Sequence, residues 1–248
     1  MRQSGLSSFA ALVITVYQLA SCGAGGVVEE PPPPEIKGGE VWAVACESGK
    51  ARIISETTRR ITSPVADDGL LFVGTENGLI ALDRQNGRTK WHCREVGRVE
   101  YPPVVCAGLV CVAGHDRHVV HGLEAASGKP RWKHDLDDKK LVVTPLLLSG
   151  GTLLFGSSGK NLCALEARSG HPLWSNYTSS TPRWVACVAD GVVYVKAFNR
   201  ICGFDLDTGR KTWQHQNNCV DDGSAPTVAK GIIYLTCHSF HNSCRKLG

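Results

Sequence analysis

Four residues of the C-terminal region carry side chains that can bind zinc. Cys237 and Cys244 offer two thiolates, and His238 and His241 offer two imidazoles, a combination that structural zinc sites use. Their spacing matches no standard zinc finger. We therefore treat these four residues as a weak metal candidate and expect a loop that holds no metal.

A second run of possible ligands consists of His115, His118 and His121. Imidazole is a common metal ligand, so the run is a candidate for a metal site. When the chain is aligned with itself, however, His121 falls on Ile80, an apolar position within a strand. We predict that His121 packs in the core and that the three rings do not share one ion.

The chain contains 11 cysteines, which raises the question of disulfides. Cys111 aligns with Phe72, and most of the cysteines occupy such apolar strand positions, so we interpret them as small buried hydrophobic residues. Across the hairpin that joins Cys106 to Cys111, we predict Cys106 opposite Leu109 and Cys111 opposite Val104, which keeps the two thiols apart. Disulfide pairing elsewhere in the chain stays open.

One sequence motif, called the phrase below, occurs four times along the chain. It contains a small residue, an apolar residue, an acid, a turn residue followed by glycine, and a tryptophan four positions after the glycine. The first copy runs from Ala81 to Trp91, and the copies are about 40 residues apart, which indicates a repeat architecture. A weaker copy precedes them, with Ile53 in place of tryptophan. The structural anchors predicted from this phrase are Asp83, Glu124, Glu166 and Asp205; Gly87, Gly128, Gly170 and Gly209; and Trp91, Trp132, Trp174 and Trp213.

Each part of the phrase has a physical role. Glycine adopts positive φ at low cost, so it suits a tight turn. The acid can accept backbone N–H bonds around that turn. The large ring, placed at the same point of every repeat, suits packing between adjacent sheets. Because the acids recur once per repeat, we interpret them as structural and predict no catalytic residue among them.

Each full repeat divides into four short strands separated by turn signals. In the first repeat these strands are predicted at 62–66, 70–74, 79–83 and around Trp91, and the first strand of the third repeat is predicted at 144–146. Four-stranded antiparallel units at this period are typical of a β-propeller. The predicted fold is therefore all-β, a β-propeller of about five blades.

The repeats begin and end with partial units. The predicted boundaries are 41–55 (partial), 56–95, 96–136, 137–178, 179–217 and 218–248 (partial). The first piece supplies the third and fourth strands of a blade, and the last piece supplies the first and second. The two pieces could combine into one hybrid blade and close a five-bladed ring. We favour the other hypothesis, an incomplete ring, which would expose apolar surface near residues 224–248 and favour self-association.

The recurring phrase resembles the PQQ-type β-propeller repeat of the quinoprotein alcohol dehydrogenase-like family, which is also found in BamB-like lipoproteins. The resemblance covers about residues 41–248. For BamB-like proteins it implies a non-enzymatic scaffold that binds a protein or ligand, as in envelope assembly. For the dehydrogenases it implies a quinone held under a disulfide of adjacent cysteines, with calcium beside it.

The sequence contains no pair of adjacent cysteines, so no site residue supports PQQ, and we expect no cofactor and no enzymatic activity. A quinone-dependent oxidoreductase, or a fragment of one, is the alternative hypothesis. A truncated repeat protein without a function of its own is another. The net charge of +4 is small and spread along the chain, which does not favour nucleic acid as a partner.

The N-terminal region has the features of an export signal. Residues 1–22 contain one charge, at Arg2, then an apolar run too short to span a bilayer, then Leu19-Ala20-Ser21-Cys22. This ending resembles the bacterial lipobox, which implies that the thiol of Cys22 is acylated; the alternatives are an ordinary cleaved signal peptide and an unprocessed apolar tail. Residues 23–40 are rich in glycine and proline and predict a linker. We thus expect an exported, membrane-anchored lipoprotein of the bacterial envelope with an unidentified protein partner.

Overall fold

A computed structural model describes residues 39–44, 51–57, 61–137, 140–198, 200–216, 226–229 and 231–234. These residues form an all-β structure, as predicted. None of them belongs to a helix that is long and apolar enough to cross a membrane. The predicted signal segment 1–22, Cys22, most of the linker and the four weak metal candidates at 237–244 lie outside the described residues.

The described strands form four four-stranded sheets and two two-stranded hairpins, all antiparallel. The leading hairpin contains β1 (Gly39–Val44) and β2 (Ala51–Thr57), and the trailing hairpin contains β19 (Thr227–Ala229) and β20 (Ile232–Tyr234). The four sheets between them are sheet 1, with β3 (Val65–Asp67), β4 (Leu70–Thr75), β5 (Gly78–Asp83) and β6 (Thr89–Cys93); sheet 2, with β7 (Val104–Cys106), β8 (Leu109–Gly114), β9 (Val119–Glu124) and β10 (Pro130–Asp135); sheet 3, with β11 (Leu147–Ser149), β12 (Thr152–Gly156), β13 (Asn161–Glu166) and β14 (Pro172–Tyr177); and sheet 4, with β15 (Trp184–Ala189), β16 (Val192–Ala197), β17 (Arg200–Asp205) and β18 (Lys211–Gln216).

Each four-stranded sheet is a simple meander in which every strand pairs with the next. The first strands of successive sheets approach one another, from β3 to β7, β11, β15 and finally β19. Sheets that converge at their first strands are arranged like the blades of a propeller. The turn between β3 and β4 shows how the sequence sets this geometry, because Asp68 and Gly69 both have positive φ, at 39° and 79°, as a tight hairpin turn requires.

The predicted position of one strand is wrong. The sequence pattern places the first strand of sheet 3 at 144–146, but β11 begins at Leu147. Two features of the sequence explain the shift. Pro145 has no N–H to give to a ladder, and the hydroxyl oxygen Oγ1 of Thr144 accepts a bond from the backbone N–H of Gly156 at 2.9 Å.

Sheet 1 has an equivalent bond, in which a threonine hydroxyl accepts from a backbone N–H of the second strand. Oγ1 of Thr62 accepts a bond from the N–H of Gly74 at 3.0 Å, and β3 begins only at Val65. The predicted strand 62–66 therefore starts too early. Segments 62–64 and 144–146 are held to the second strand of their sheet by the threonine hydroxyl together with a backbone bond. The N–H of Thr62 donates to the carbonyl of Gly74, and the N–H of Val143 donates to the carbonyl of Gly156, both at 2.9 Å.

The core lies in the seams between neighbouring sheets. In the seam between sheets 1 and 2, Phe72 and Leu79 pack with Val110, Val112 and Leu123. Corresponding clusters fill the seams between sheets 2 and 3 and between sheets 3 and 4. Sheets 1 to 3 thus bury both faces against neighbours, whereas sheet 4 packs its described core against sheet 3 alone.

The leading hairpin occupies the place of a blade before sheet 1. Its Val41 is buried against Leu71, Val73 and Leu82 of sheet 1. Among the described strands, β1 pairs with β2 alone and β20 pairs with β19 alone. The two hairpins therefore lie in separate sheets, and their described strands do not form a hybrid blade.

Candidate functional site

The recurring aspartates hold the turns between the third and fourth strands. In sheet 1, Oδ1 of Asp83 accepts bonds from the backbone N–H groups of Gln85 (2.9 Å) and Asn86 (3.1 Å). In sheet 4, Oδ1 of Asp205 accepts bonds from the N–H (2.8 Å) and the hydroxyl (2.6 Å) of Thr208. These hydrogen bonds favour the charged form, so they lower the pKa of both carboxyls.

The recurring glutamates use a different partner in the same turn. Oε2 of Glu124 accepts a bond from the hydroxyl of Ser127, and Oε2 of Glu166 accepts one from the hydroxyl of Ser169, both at 2.5 Å. The longer side chain reaches the hydroxyl three residues on. In all four sheets the acid is thus engaged within its own turn.

The recurring glycines complete these turns. Gly87, Gly128, Gly170 and Gly209 have φ between 68° and 72°, the left-handed region that other residues rarely adopt. The N–H of each glycine donates to the carbonyl of the acid four positions earlier, at 2.7 to 2.8 Å. The turn therefore has the same backbone conformation in all four sheets.

The tryptophans of sheets 1 to 3 join each sheet to the next. Nε1 of Trp91 donates to the carbonyl of Ala125 at 2.9 Å, and Nε1 of Trp132 donates to the carbonyl of Ala167 at 3.2 Å. Trp174 makes the corresponding bond to Leu206 at 3.0 Å. Each acceptor is the residue immediately after the recurring acid of the next sheet, so an indole of one sheet is bonded to the turn of its neighbour.

The same rings lie against the turn glycines of the next sheet. A Cβ placed on Gly128 would stand 2.6 Å from the ring of Trp91, and one on Gly170 would stand 2.3 Å from the ring of Trp132. No side chain fits at that distance. The glycine is therefore required twice, once by its φ and once by the ring that covers it. We call this arrangement, formed by Trp91, Trp132 and Trp174 with Gly128, Gly170 and Gly209, the tryptophan–glycine contact.

Trp213 of sheet 4 has different surroundings. It is 38% exposed, and its ring lies 6.0 Å from the ring of Tyr194, centroid to centroid, within its own sheet. Among the described residues, no carbonyl of a following turn accepts a bond from its indole. The structure thus brings three of the four tryptophans into contact with a following sheet and leaves the fourth half open.

The described cysteines are buried or half-buried and form no disulfide with one another. The register pairs Cys106 with Leu109 and Cys111 with Val104, as predicted, and all six cysteines within the described residues have free thiols. Burial raises the pKa of Cys111 to about 12, so this thiol is not a nucleophile near neutral pH.

The three histidines at 115, 118 and 121 do not converge. Nδ1 of His115 lies 2.9 Å from Oε2 of Glu100, while His118 has a positive φ of 57° in the turn before β9. His121 is 7% exposed, at the packing position that the alignment with Ile80 predicts. Within the described residues no group of three or more His, Cys, Asp or Glu side chains is arranged to hold a metal ion.

Two polar contacts of the seams were missed by sequence reasoning. The acceptors for the indoles are backbone carbonyls of Ala125, Ala167 and Leu206, which carry no residue-type signal. Asn176, which begins an apparent glycosylation sequon, donates from Nδ2 to the carbonyl of Gly209 at 2.9 Å. The side chain is thereby engaged between sheets 3 and 4, and a glycan attached there would displace it.

The meander sheets, their convergent first strands and the tryptophan–glycine contact define a β-propeller built of PQQ-like repeats. The family model described as outer membrane protein assembly factor BamB matches residues 33–183 and 117–240. Together these ranges cover most of the chain, and the chain belongs to this family.

Individual relatives agree with this assignment. The outer membrane protein assembly factor BamB of Yersinia pestis is 24% identical over 216 residues, which are 80% of this chain and 54% of that protein. The crystal structure of BamB from Moraxella catarrhalis aligns with a TM-score of 0.59 at 22% identity, over 73% of this chain and 57% of that one. The chain thus spans about half the length of these relatives.

The same fold occurs in enzymes. The quinohemoprotein alcohol dehydrogenase of Comamonas testosteroni aligns with a TM-score of 0.58 at 16% identity, over 69% of this chain and 38% of that one. Likeness at this identity concerns the fold alone.

Proposed function

We propose that this chain is a non-enzymatic scaffold of the bacterial envelope that binds a protein partner during the assembly of outer membrane proteins. The family match to outer membrane protein assembly factor BamB carries this proposal. Because the chain spans about half of its relatives, the proposal concerns the part of such a scaffold that the described blades form.

The geometry of the repeats supports a scaffold. The recurring acids are engaged in their own turns, and three of the recurring indoles are bonded to the next sheet. These residues build a rigid frame, and the loops between strands vary from blade to blade. Variable loops on a rigid frame are the usual place of protein recognition.

A genetic experiment in the native host tests the proposal. We expect deletion of the gene to lower the amount of integral outer membrane proteins severalfold, measured by quantitative mass spectrometry of the outer membrane fraction. The wild-type gene should restore them. Unchanged amounts in the deletion strain, with the protein confirmed in the parent strain, would contradict the proposed function.

The membrane anchor is a separate part of the proposal. Acylation of Cys22 would tether the propeller through the glycine- and proline-rich segment after it. We expect Cys22→Ser to release the protein from the membrane fraction or to block its processing. An unmodified Cys22 in the native protein, determined by mass spectrometry, would rule out the lipid anchor while leaving the scaffold role.

The quinone-dependent alternative predicts a different outcome. A cofactor site would bind PQQ with Ca²⁺ in a saturable manner and shift the melting temperature of the protein. We expect no saturable change when the full chain is titrated with PQQ and Ca²⁺. Saturable binding at one equivalent would favour the oxidoreductase hypothesis.

A further inference from the structure

His121 lies in the seam between sheets 1 and 2, facing sheet 1. It stands opposite Val112 on β8 and opposite Lys133 on β10, and residues directly opposite each other share a face of the sheet. Val112 belongs to the core that includes Phe72 and Cys93 of sheet 1. The imidazole is therefore directed toward the preceding sheet.

The side chain is buried without satisfying its ring. His121 is 7% exposed, and its Nε2 has no hydrogen-bond partner among the described residues. A neutral imidazole with one unsatisfied nitrogen is tolerated at moderate cost, but a buried imidazolium needs an acceptor for each N–H. The site is thus built for the neutral ring.

The charged groups around the ring of His121 offset little of the cost of burying a charged imidazolium. Lys133 lies directly across the strand pair, and Asp135 and Glu95 are the carboxylates close enough to act on the imidazole. Asp135 is shared with Lys133, whose Nζ is 3.5 Å from Oδ2. Burial is the largest influence and lowers the pKa of His121, and the two carboxylates oppose it only in part.

The equivalent positions of the other sheets carry no such group. Ile80 of sheet 1 stands opposite Val73 in the same way and packs with Val41 of the leading hairpin. Sheets 3 and 4 have Cys163 and Cys202 at this position, and burial raises the pKa of both thiols. Of these four residues, histidine is the one that gains a charge on mild acidification.

We propose that His121 makes the seam between sheets 1 and 2 an acid-sensitive joint: a proton taken up by the imidazole loosens this seam while the seam between sheets 3 and 4 keeps its packing. The sign follows from proton linkage. The opened state binds the proton at the ordinary value near 6.5, above that of the packed state. The packed seam therefore has its full stability above pH 6.5, where the ring is neutral in both states. Its stability falls as the pH drops below 6.5, because the opened state takes up the proton first.

Native-state hydrogen exchange of the full chain at pH 7.5 and pH 5.5, corrected for intrinsic exchange rates, tests the proposal. We expect the opening equilibrium of the amides in β6 and β9 to rise by up to about tenfold at the lower pH, since one pH unit below the ordinary histidine value corresponds to a factor of ten. The amides of β14 and β17, which border the seam between sheets 3 and 4, serve as the internal reference and should change less.

Two variants and a control assign the effect. His121→Ile copies Ile80, and His121→Cys copies Cys163 and Cys202; both should abolish the additional response of β6 and β9.

His134→Gln is the matched control, because His134 stands opposite Val120, whose side chain packs in the seam with sheet 3. It should leave the response of β6 and β9 intact. An acid response in both His121 variants equal to that of the wild type, or an equal response in both seams of the wild type, would overturn the proposal.

Discussion

Sheet 3 and sheet 4 carry the same tryptophan in different surroundings. Trp174 of sheet 3 is bonded to the carbonyl of Leu206 and covered by Gly209, both of sheet 4. Trp213 of sheet 4 lies on Gly203 of its own sheet and is 38% exposed. The residue type and its place in the repeat are identical, so the difference arises from the neighbour that each sheet has in the fold.

A blade of this protein therefore does not bury its own recurring tryptophan. The ring is placed by the fourth strand, while the acceptor and the glycine belong to the turn of the next blade. Stability is transmitted from one repeat to its neighbour, as in other repeat proteins where interfaces contribute much of the folding free energy.

Removal of the ring should affect the two environments unequally. We expect Trp132→Ala to lower the free energy of unfolding by about 3 to 5 kcal/mol, because it removes a large side chain and the hydrogen bond to Ala167. Trp213→Ala, the matched control, should cost about 1 kcal/mol, since Trp213 is 38% exposed and its indole donates to no following turn among the described residues. Urea unfolding at neutral pH measures both free energies of unfolding. Equal losses for the two variants would contradict the claim that the following sheet stabilises Trp132 and not Trp213.

The turn glycine allows a test from the other side of the same contact. We expect Gly170→Ala to cost about 1 to 3 kcal/mol for the forced contact with Trp132, in addition to the strain of its positive φ. Gly191→Ala is matched in conformation, with φ of 73° against 70°, but open space surrounds its Cβ. It should show the conformational cost alone, about 1 to 2 kcal/mol. A loss for Gly191→Ala equal to or larger than that for Gly170→Ala would show that the contact with the ring adds no cost.

The turn aspartates should produce the smallest effect, visible only in acid. Hydrogen bonds in the turn lower the pKa of Asp83 and Asp205 from the ordinary 3.8. Their contribution to stability is present above that value and is lost as the pH falls through the lower folded pKa. We expect Asp205→Asn to flatten the fall of the urea midpoint below about pH 4. An unchanged slope would mean that the turn forms without the carboxylate.

The repeat could be predicted from the sequence because residue types carry it. The acid, the glycine and the tryptophan each recur at one place, and the alignment of His121 with Ile80 was enough to predict a buried ring. The register of Cys106 and Cys111 also followed from the turn between them. These features are local, and local chemistry determines them.

Other features of the fold depend on contacts that cannot be predicted from the types of the residues involved. The indole acceptors are backbone carbonyls, so Ala125 and Leu206 give no signal in the sequence. The start of β11 depends on a hydroxyl of Thr144 that replaces a strand bond, which pattern alone does not reveal. The exposure of Trp213 is set by its neighbours and could not be predicted from a phrase that is the same in every repeat.

Hydrogen exchange at the indole nitrogens, measured by NMR on protein labelled with ¹⁵N-tryptophan, tests the inter-sheet contact most directly. We predict slow exchange at Nε1 of Trp91, Trp132 and Trp174, which donate to the next sheet at 2.9 to 3.2 Å, and fast exchange at Nε1 of Trp213. Equal rates at all four indoles would contradict the claim that each blade is fastened by the turn of the next.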